Sequence, residues 1–374
     1  MSANTIIIGG GVIGLSIARA LRRRGEQHVA VFEKGVCGRE ASWAAGGMLT
    51  AQAHTYQQDT FYRLSASSRD LYPALAEELL SETGIDIELD RTGTLMLAFT
   101  DDEADDLADR LAKQSAAGLH AEILDRPDVL AAEPGISPVV AAALRFENDW
   151  QVENRRLVEA LRRYAALNGI ELREHSEVER VIIENGRVAG VSANGDTVGC
   201  DHVIIAGGAW SSAIGVGNAP LPFAVSPVRG QIVEYTTRER AVRHVIYCSG
   251  GYLVPRRGGR ILVGSTLEHA GFEKTTTEKA MAGLRDVGEK ILPQLADQAL
   301  SGSWSGLRPF APDEMPILGP FGGIEGLFAA TAHYLNGILL APITAEIIAD
   351  AVIYGGRSEY FSEFGPERAA VAAP

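Results

Sequence analysis

The chain has 374 residues, 46% hydrophobic and 22% charged, a composition that excludes a disordered polymer and is long enough for two compact lobes. Its formal charge of −14 argues against nucleic acid and anionic membrane as partners. Three scattered cysteines, Cys37, Cys200 and Cys248, with no CxxC or His-rich cluster, argue against a disulfide framework or a structural zinc; free thiols and no metal site are expected.

The first strand, Thr5 to Ile8, starts too early to leave room for a secretory signal. No run approaches the ~18 uncharged apolar residues of a membrane span. A cytoplasmic protein without a membrane span is expected. Directly after that strand comes Gly9-x-Gly11-x-x-Gly14, which opens an amphipathic helix. In this arrangement the first glycine allows a tight turn and the second lets backbone approach a pyrophosphate. The third lets helix pack on strand, and the phosphates sit on the positive helix N-terminus. Val12 and Ile13 lie within the turn, and Ala18 and Leu21 supply the packed helix face. The next strand, "VAVFEK", ends at Glu33, nineteen residues past Gly14, with Lys34 beside it. A carboxylate there accepts hydrogen bonds from a ribose. This half of the motif leaves FAD and NAD both open.

Further along, residues 61–83 and 101–117 read as helices and 126–133 as a short one. A good helix runs from Asn154 to Asn168. Asn185-Gly186 is a hairpin turn between strand-like runs. "HVIIAGGAWSS" is a buried strand ending in glycines. Residues 228–267 alternate and carry turn signals, as an antiparallel sheet does. "LFAATAHYLNGILLAPITAEIIADAVI" reads as strand, loop and closing helix, and the tail "GPERAAVAAP" as frayed. Parallel-type units thus occur at the start, middle and end, with antiparallel segments between them. The expected fold class is α/β (α+β overall): a discontinuous Rossmann-like domain over residues 1–84, 149–216 and 303–374, with a substrate domain over 85–148 and 217–302 inserted in pieces on a mixed or antiparallel sheet.

Several stretches carry a resemblance. "REASWAAGGML" places Ser42, Ala44, Ala45, Gly46, Gly47 and Met48 soon after the Glu33 strand. "IIAGGAW" places Ala206, Gly207, Gly208 and Trp210 at the end of another. "GGYLVPRRGGRILVGSTLEHAG", "GLRPFAPDEMPILGP" and "AHYLNGILLAP" follow in order. Together with the first motif they resemble the FAD-dependent D-amino-acid oxidase and glycine oxidase family, and within it the bacterial glycine oxidases of the thiamine-biosynthesis type. The resemblance implies a small-residue loop wrapped around the pyrophosphate and flavin, and Val178 meeting adenine through its backbone. It also implies that backbone N–H groups of His333, Tyr334, Leu335, Asn336, Gly337 and Ile338 meet the flavin's pyrimidine edge at a helix N-terminus. No cysteine follows Cys248, so the FAD is expected to be non-covalent.

By the same resemblance Arg308 binds the substrate carboxylate with its planar fork, above the flavin, and Tyr252 reaches the same carboxylate. Tyr247 and Tyr334 are candidates for the pocket wall and equally for plain core tyrosines. Gly250, Leu267 and Leu335 stand where family members can carry histidine, methionine and arginine, which makes this corner more apolar. His202, His244, His269 and His333 are isolated and read as structural or exposed. There is no nucleophile elbow and no HExxH. The implied activity is oxidation of glycine, small D-amino acids or N-substituted glycines such as sarcosine, with oxygen as acceptor and hydrogen peroxide released. Family logic is hydride transfer from Cα of a neutral amine to flavin N5. The partners implied are a small amino acid and oxygen, with a homo-oligomer, a tetramer, by resemblance. Other readings are a D-amino-acid dehydrogenase serving a quinone, a non-catalytic nucleotide-binding regulator and a 2-hydroxy-acid oxidoreductase.

Overall fold

The computed structural model describes residues 4–219 and 221–370. Thr5–Ile8 is buried along its whole length, as suits the middle of a sheet covered on both faces. It lies in a six-stranded sheet ordered Ile317–Pro320, Leu327–Thr331, His202–Ile205, Thr5–Ile8, Val29–Phe32, Glu171–Arg173. All neighbours are parallel except the edge strand Ile317–Pro320. Successive residues of Thr5–Ile8 serve opposite cores. Ile7 packs with the helices Val12–Arg23, Thr60–Thr83, Asn154–Leu167 and Gly337–Tyr354. Ile6 and Ile8 pack with Val178, Val181 and Val191 of a smaller four-stranded sheet.

Local chemistry sets the element ends. Asp59 caps Thr60–Thr83 by accepting the Tyr62 N–H, and Gly84 ends it in a left-handed conformation. Thr100 and Asp125 cap Asp101–Ala116 and Arg126–Ala132 in the same way. Asn185 and Gly186, at φ 51° and 78°, form the tight turn between Val178–Glu184 and Arg187–Ala193. The helix Gly337–Tyr354 is long and apolar enough by composition to cross a membrane, with a mean hydropathy of 1.7. It is instead a core helix. Ile338, Leu339 and Ile348 are buried against the dinucleotide helix, while Glu346 and Asp350 pair with Arg24 at 2.5 and 2.7 Å.

The second sheet has eight strands, antiparallel except where Val245–Cys248 meets Thr94–Ala98. The helix Glu278–Ile291 covers one face through Leu284 and Ile291. The other face presents Ile232, Tyr247, Val254 and Leu262 toward Met48 of the first lobe. The edge strand Leu300–Phe310 belongs to this sheet, so the chain returns to the six-stranded sheet only at Ile317, beyond the division expected at 302/303. The tail is also more ordered than expected at its start. Pro366–Ala370 forms a helical turn, and Arg368 lies 2.9 Å from Asp313 and donates to the Glu363 carbonyl; residues 371–374 lie outside the described residues.

Candidate active site

Gly9 has φ +113°, and a Cβ on it would collide with the Ala206 carbonyl of the neighbouring strand. A Cβ on Gly14 would collide with the Gly9 carbonyl beneath the turn. Gly11 is different. Among the described residues the only near neighbour of a Cβ there would be Ser42 Oγ at 3.3 Å, so that face stays open for backbone to approach a ligand. Ser42 Oγ accepts the Val12 N–H at 2.9 Å and ties the small-residue loop to the helix N-terminus. No acidic residue occupies the first turn, so the positive helix end is left for an anion. The Glu33 carboxylate is fixed by the N–H groups of Gly10 (2.9 Å) and Gly35 (2.8 Å). Lys34 Nζ lies 4.5 Å above the Trp210 ring.

A cavity of about 900 Å³ runs from this turn to Arg308. It brings together Gly9, Gly11, Val12, Ile13, Glu33, Lys34, Ser42 and the run Ala44–Met48. Val178, Ala206, Gly207, Gly208, Trp210, Tyr247, Tyr252, Leu267, Arg308 and the run His333–Ile338 complete that set. Two expected residues lie outside it. Gly14 sits under the turn, and Gly250 occupies a hairpin turn at φ +98°, nearest Val287. Gly14 therefore acts through packing, and Gly250 does not line the pocket. The cavity's extent from the glycine turn to Arg308, the open face of Gly11 and the Glu33 carboxylate fit a dinucleotide such as FAD.

At the other end Arg308 projects from Leu300–Phe310 across the facing strand Ser226–Thr236. Gly230 makes this possible, because a Cβ there would overlap the guanidinium. Arg308 Nη1 donates to the Thr266 carbonyl at 3.0 Å and Nη2 to Ser265 Oγ at 2.7 Å. Its other N–H groups have no partner among the described residues. Gly306, two residues back, gives room for Ala44, so the strand lies directly against the small-residue loop. Tyr252 faces Gly264 across two paired strands, with its hydroxyl near Gly46 and without a hydrogen-bond partner among the described residues. Tyr247 packs edge-on against Tyr252, with ring centroids 5.8 Å apart, and donates to Met48 Sδ at 3.0 Å. Burial pushes the Tyr247 phenol up, so it stays protonated.

The third wall is the loop before the closing helix. Ala332 and Tyr334 both adopt positive φ, 57° and 45°, a strained backbone for residues with a Cβ. The Tyr334 N–H is tied to the Pro309 carbonyl at 3.0 Å. Burial drives His333 down to about 3, so its imidazole is neutral; Nε2 lies 3.0 Å from Thr344 Oγ1. Asn336 provides no side-chain cap, which leaves the first N–H groups of Gly337–Tyr354 facing the cavity. Ser68 donates to the Leu339 carbonyl at 2.6 Å and holds that helix start in place.

Some lining residues carry no local sequence signal. Gly230, Ser265 and Thr266 become neighbours of Arg308 only through strand register. Thr50 and His54 belong to a wall held from behind by buried Asp149, whose carboxylate accepts the N–H groups of Gln52 (3.0 Å) and Ala53 (2.7 Å). Burial pushes Asp149 up to about 6. His244 is structural, its Nδ1 2.5 Å from Glu133. Burial pushes Cys37 and Cys200 up to about 12 and Cys248 up to about 11, leaving all three as inert thiols.

Residues 4–351 match the family model described as FAD dependent oxidoreductase. A glycine oxidase of Pseudomonas aeruginosa is 37% identical over 356 residues, with 94% of each chain covered. The crystal structure of glycine oxidase from Geobacillus kaustophilus superimposes with a TM-score of 0.91 at 34% identity, covering 98% of both chains. Iminodiacetate oxidase from Chelativorans superimposes with a TM-score of 0.85 at 25% identity, covering 97% of this chain and 98% of that one.

Proposed function

The chain belongs to the family of FAD-dependent oxidoreductases, and from that premise we propose that it oxidises glycine, small D-amino acids or N-substituted glycines to the imine, with oxygen reduced to hydrogen peroxide. When bound, the flavin supplies the two-electron acceptor and returns the electrons to oxygen. The chain's own residues do the rest.

Arg308 binds the substrate carboxylate, and Tyr252 adds a hydroxyl donor to the same group. Holding the carboxylate at two points orients the Cα hydrogen toward the flavin ring. The buried Tyr247 and the partly buried Met48 keep water from that end of the cavity. No side chain is needed as base if the bound amine gives its proton to water, which accords with the neutral, occupied His333. The observation that carries the reading is the Arg308 guanidinium. It is fixed through two donors by Thr266 and Ser265, in the same cavity as the dinucleotide turn. The names of the relatives, glycine oxidase and iminodiacetate oxidase, agree with a glycine unit, free or N-substituted, as substrate.

The test is an anaerobic absorbance titration of the holoprotein with glycine, sarcosine, D-alanine and D-proline, followed by air. Bleaching of the flavin band, with recovery and peroxide release in air, is the expected outcome. Bleaching without recovery replaces the oxidase by a dehydrogenase that needs a quinone. A yellow protein that no amine bleaches overturns the amine reading and turns attention to 2-hydroxy acids.

A further inference from the structure

Arg229, Gly230 and Gln231 are consecutive on Ser226–Thr236, so the outer two side chains face one way and Gly230 faces the other. On the Gly230 side lies the Arg308 guanidinium. On the opposite side Arg229 and Gln231 grip one carboxylate, that of Glu268. Arg229 Nε donates to Glu268 at 2.6 Å and Nη2 lies 2.5 Å away. Gln231 Nε2 donates at 2.9 Å. The backbones of Arg229 and Glu268 exchange both N–H···O bonds, at 2.9 and 3.0 Å. The Gln231 N–H donates to Thr266 Oγ1 at 3.1 Å. Arg229 and Gln231 are buried, and their remaining polar atoms are spent on Thr275 and Thr277 of the same connection.

Glu268 thus anchors the segment whose other side supplies the two acceptors for Arg308, the Thr266 carbonyl and Ser265 Oγ. Removing the carboxylate strands buried donors on Arg229 and Gln231. The nearest relief is to draw new acceptors from the same segment, which moves Thr266 and frees the Arg308 fork.

We propose that Glu268 is a positioning residue for carboxylate recognition, acting through Arg229, Gln231 and Thr266 to hold Arg308 in its binding pose. The proposal rests on the reading that Arg308 takes the substrate carboxylate. The test uses the holoenzyme carrying Glu268→Gln, with Glu268→Asp, Arg229→Lys and Arg308→Ala beside it. The readouts are KM and kcat for the best substrate, FAD content, and the affinity of acetate read from its perturbation of the flavin spectrum. In Glu268→Gln, KM and the acetate dissociation constant rise about tenfold or more, kcat falls far less and FAD content holds; Glu268→Asp recovers part of the loss. Arg229→Lys keeps the charge but not the fork, and shows the same split if Glu268→Gln does not accumulate folded.

If Arg308→Ala weakens acetate and substrate while Glu268→Gln stays within about twofold of wild type, the positioning role is wrong and Arg308 stands. A Glu268→Gln that loses FAD and kcat in proportion to KM also overturns it, in favour of a general structural role. If Arg308→Ala changes neither affinity, the carboxylate reading itself falls.

Discussion

Gly230 lies directly beneath the guanidinium of Arg308, so closely that a Cβ on Gly230 would overlap both Nη atoms and Cζ. The fold can absorb a methyl there, because the Arg308 side chain is free to swing away at its end. The pose proposed to bind the substrate carboxylate cannot survive that movement. Gly230→Ala is therefore expected to keep its FAD and thermal stability while raising KM for the amino acid, in the same direction as Arg308→Ala. Losing a charge-assisted bidentate contact corresponds to about 2–3 kcal/mol in kcat/KM. Steady-state kinetics of the two variants check this; an unchanged KM in Gly230→Ala would mean that the guanidinium binds substrate from another pose.

The glycines of the dinucleotide turn are expected to separate into two kinds. Gly14 faces the Gly9 carbonyl, and any side chain there pushes helix from strand. Gly11 faces the cavity, and a Cβ on it would meet Ser42 Oγ at 3.3 Å. Gly11→Val should fold yet purify colourless, because the isopropyl group occupies the backbone's approach to the pyrophosphate. Gly14→Val should instead be lost to misfolding. Circular dichroism and bound-flavin absorbance tell the two apart, and a yellow Gly11→Val with a normal spectrum contradicts the placement of the cofactor.

Two buried groups should shape stability against pH in opposite directions. Burial holds Asp149 up at about 6, above its ordinary value of about 3.9, so the native state keeps that proton more tightly than the unfolded chain. Its stabilising contribution is complete below about pH 3.9 and is lost as pH rises through about 6. His333, driven down to about 3, contributes above its ordinary value of about 6.5 and loses that contribution as pH falls toward 3. Relative to wild type, Asp149→Asn should gain about 2 kcal/mol on going from pH 4.5 to 7.5, and His333→Gln should lose about as much or slightly more. Denaturant unfolding at the two pH values measures both. Equal offsets at both pH values would mean that neither group titrates out of its ordinary range.

Much of this arrangement is legible in the sequence, and the reason is local. Thr5–Ile8, the glycine turn and Glu33 lie within one unit whose spacing is dictated by a single turn and a single helix. Arg308 and the His333–Ile338 loop were legible as motifs. What stayed hidden depends on pairing across the chain. Gly230 opposes Gly306 only through the register of two strands about 75 residues apart in sequence, and a glycine inside "SPVRGQIVEY" reads locally as a weak point rather than as space for an arginine. Asp149 is silent for the same reason, since its partners Gln52 and Ala53 lie nearly a hundred residues away. The left-handed backbone at Ala332 and Tyr334 has no composition signal at all, because neither residue type favours it. The tail misled in the other direction: its alanines gave no sign that Arg368 would find Asp313.

The apolar corner gives the last prediction. Leu267 and Leu335 both line the cavity, yet they are 55% and 57% exposed. Exposed leucines contribute little to folding, so substituting them should leave the melting temperature nearly unchanged. Their apolar surface can still be covered by a substrate group that extends beyond glycine. At roughly 25 cal/mol per Å² of buried apolar surface, a methyl or ring methylene gained there is worth about 1 kcal/mol. Leu267→Ser and Leu335→Ser should therefore lower kcat/KM for D-proline or sarcosine about fivefold relative to glycine, with kcat/KM for glycine itself little affected. The quantity to measure is the ratio of the two specificity constants in each variant. A ratio that stays fixed would place the side chain or N-substituent elsewhere in the cavity, against the wall formed by Tyr247 and Met48.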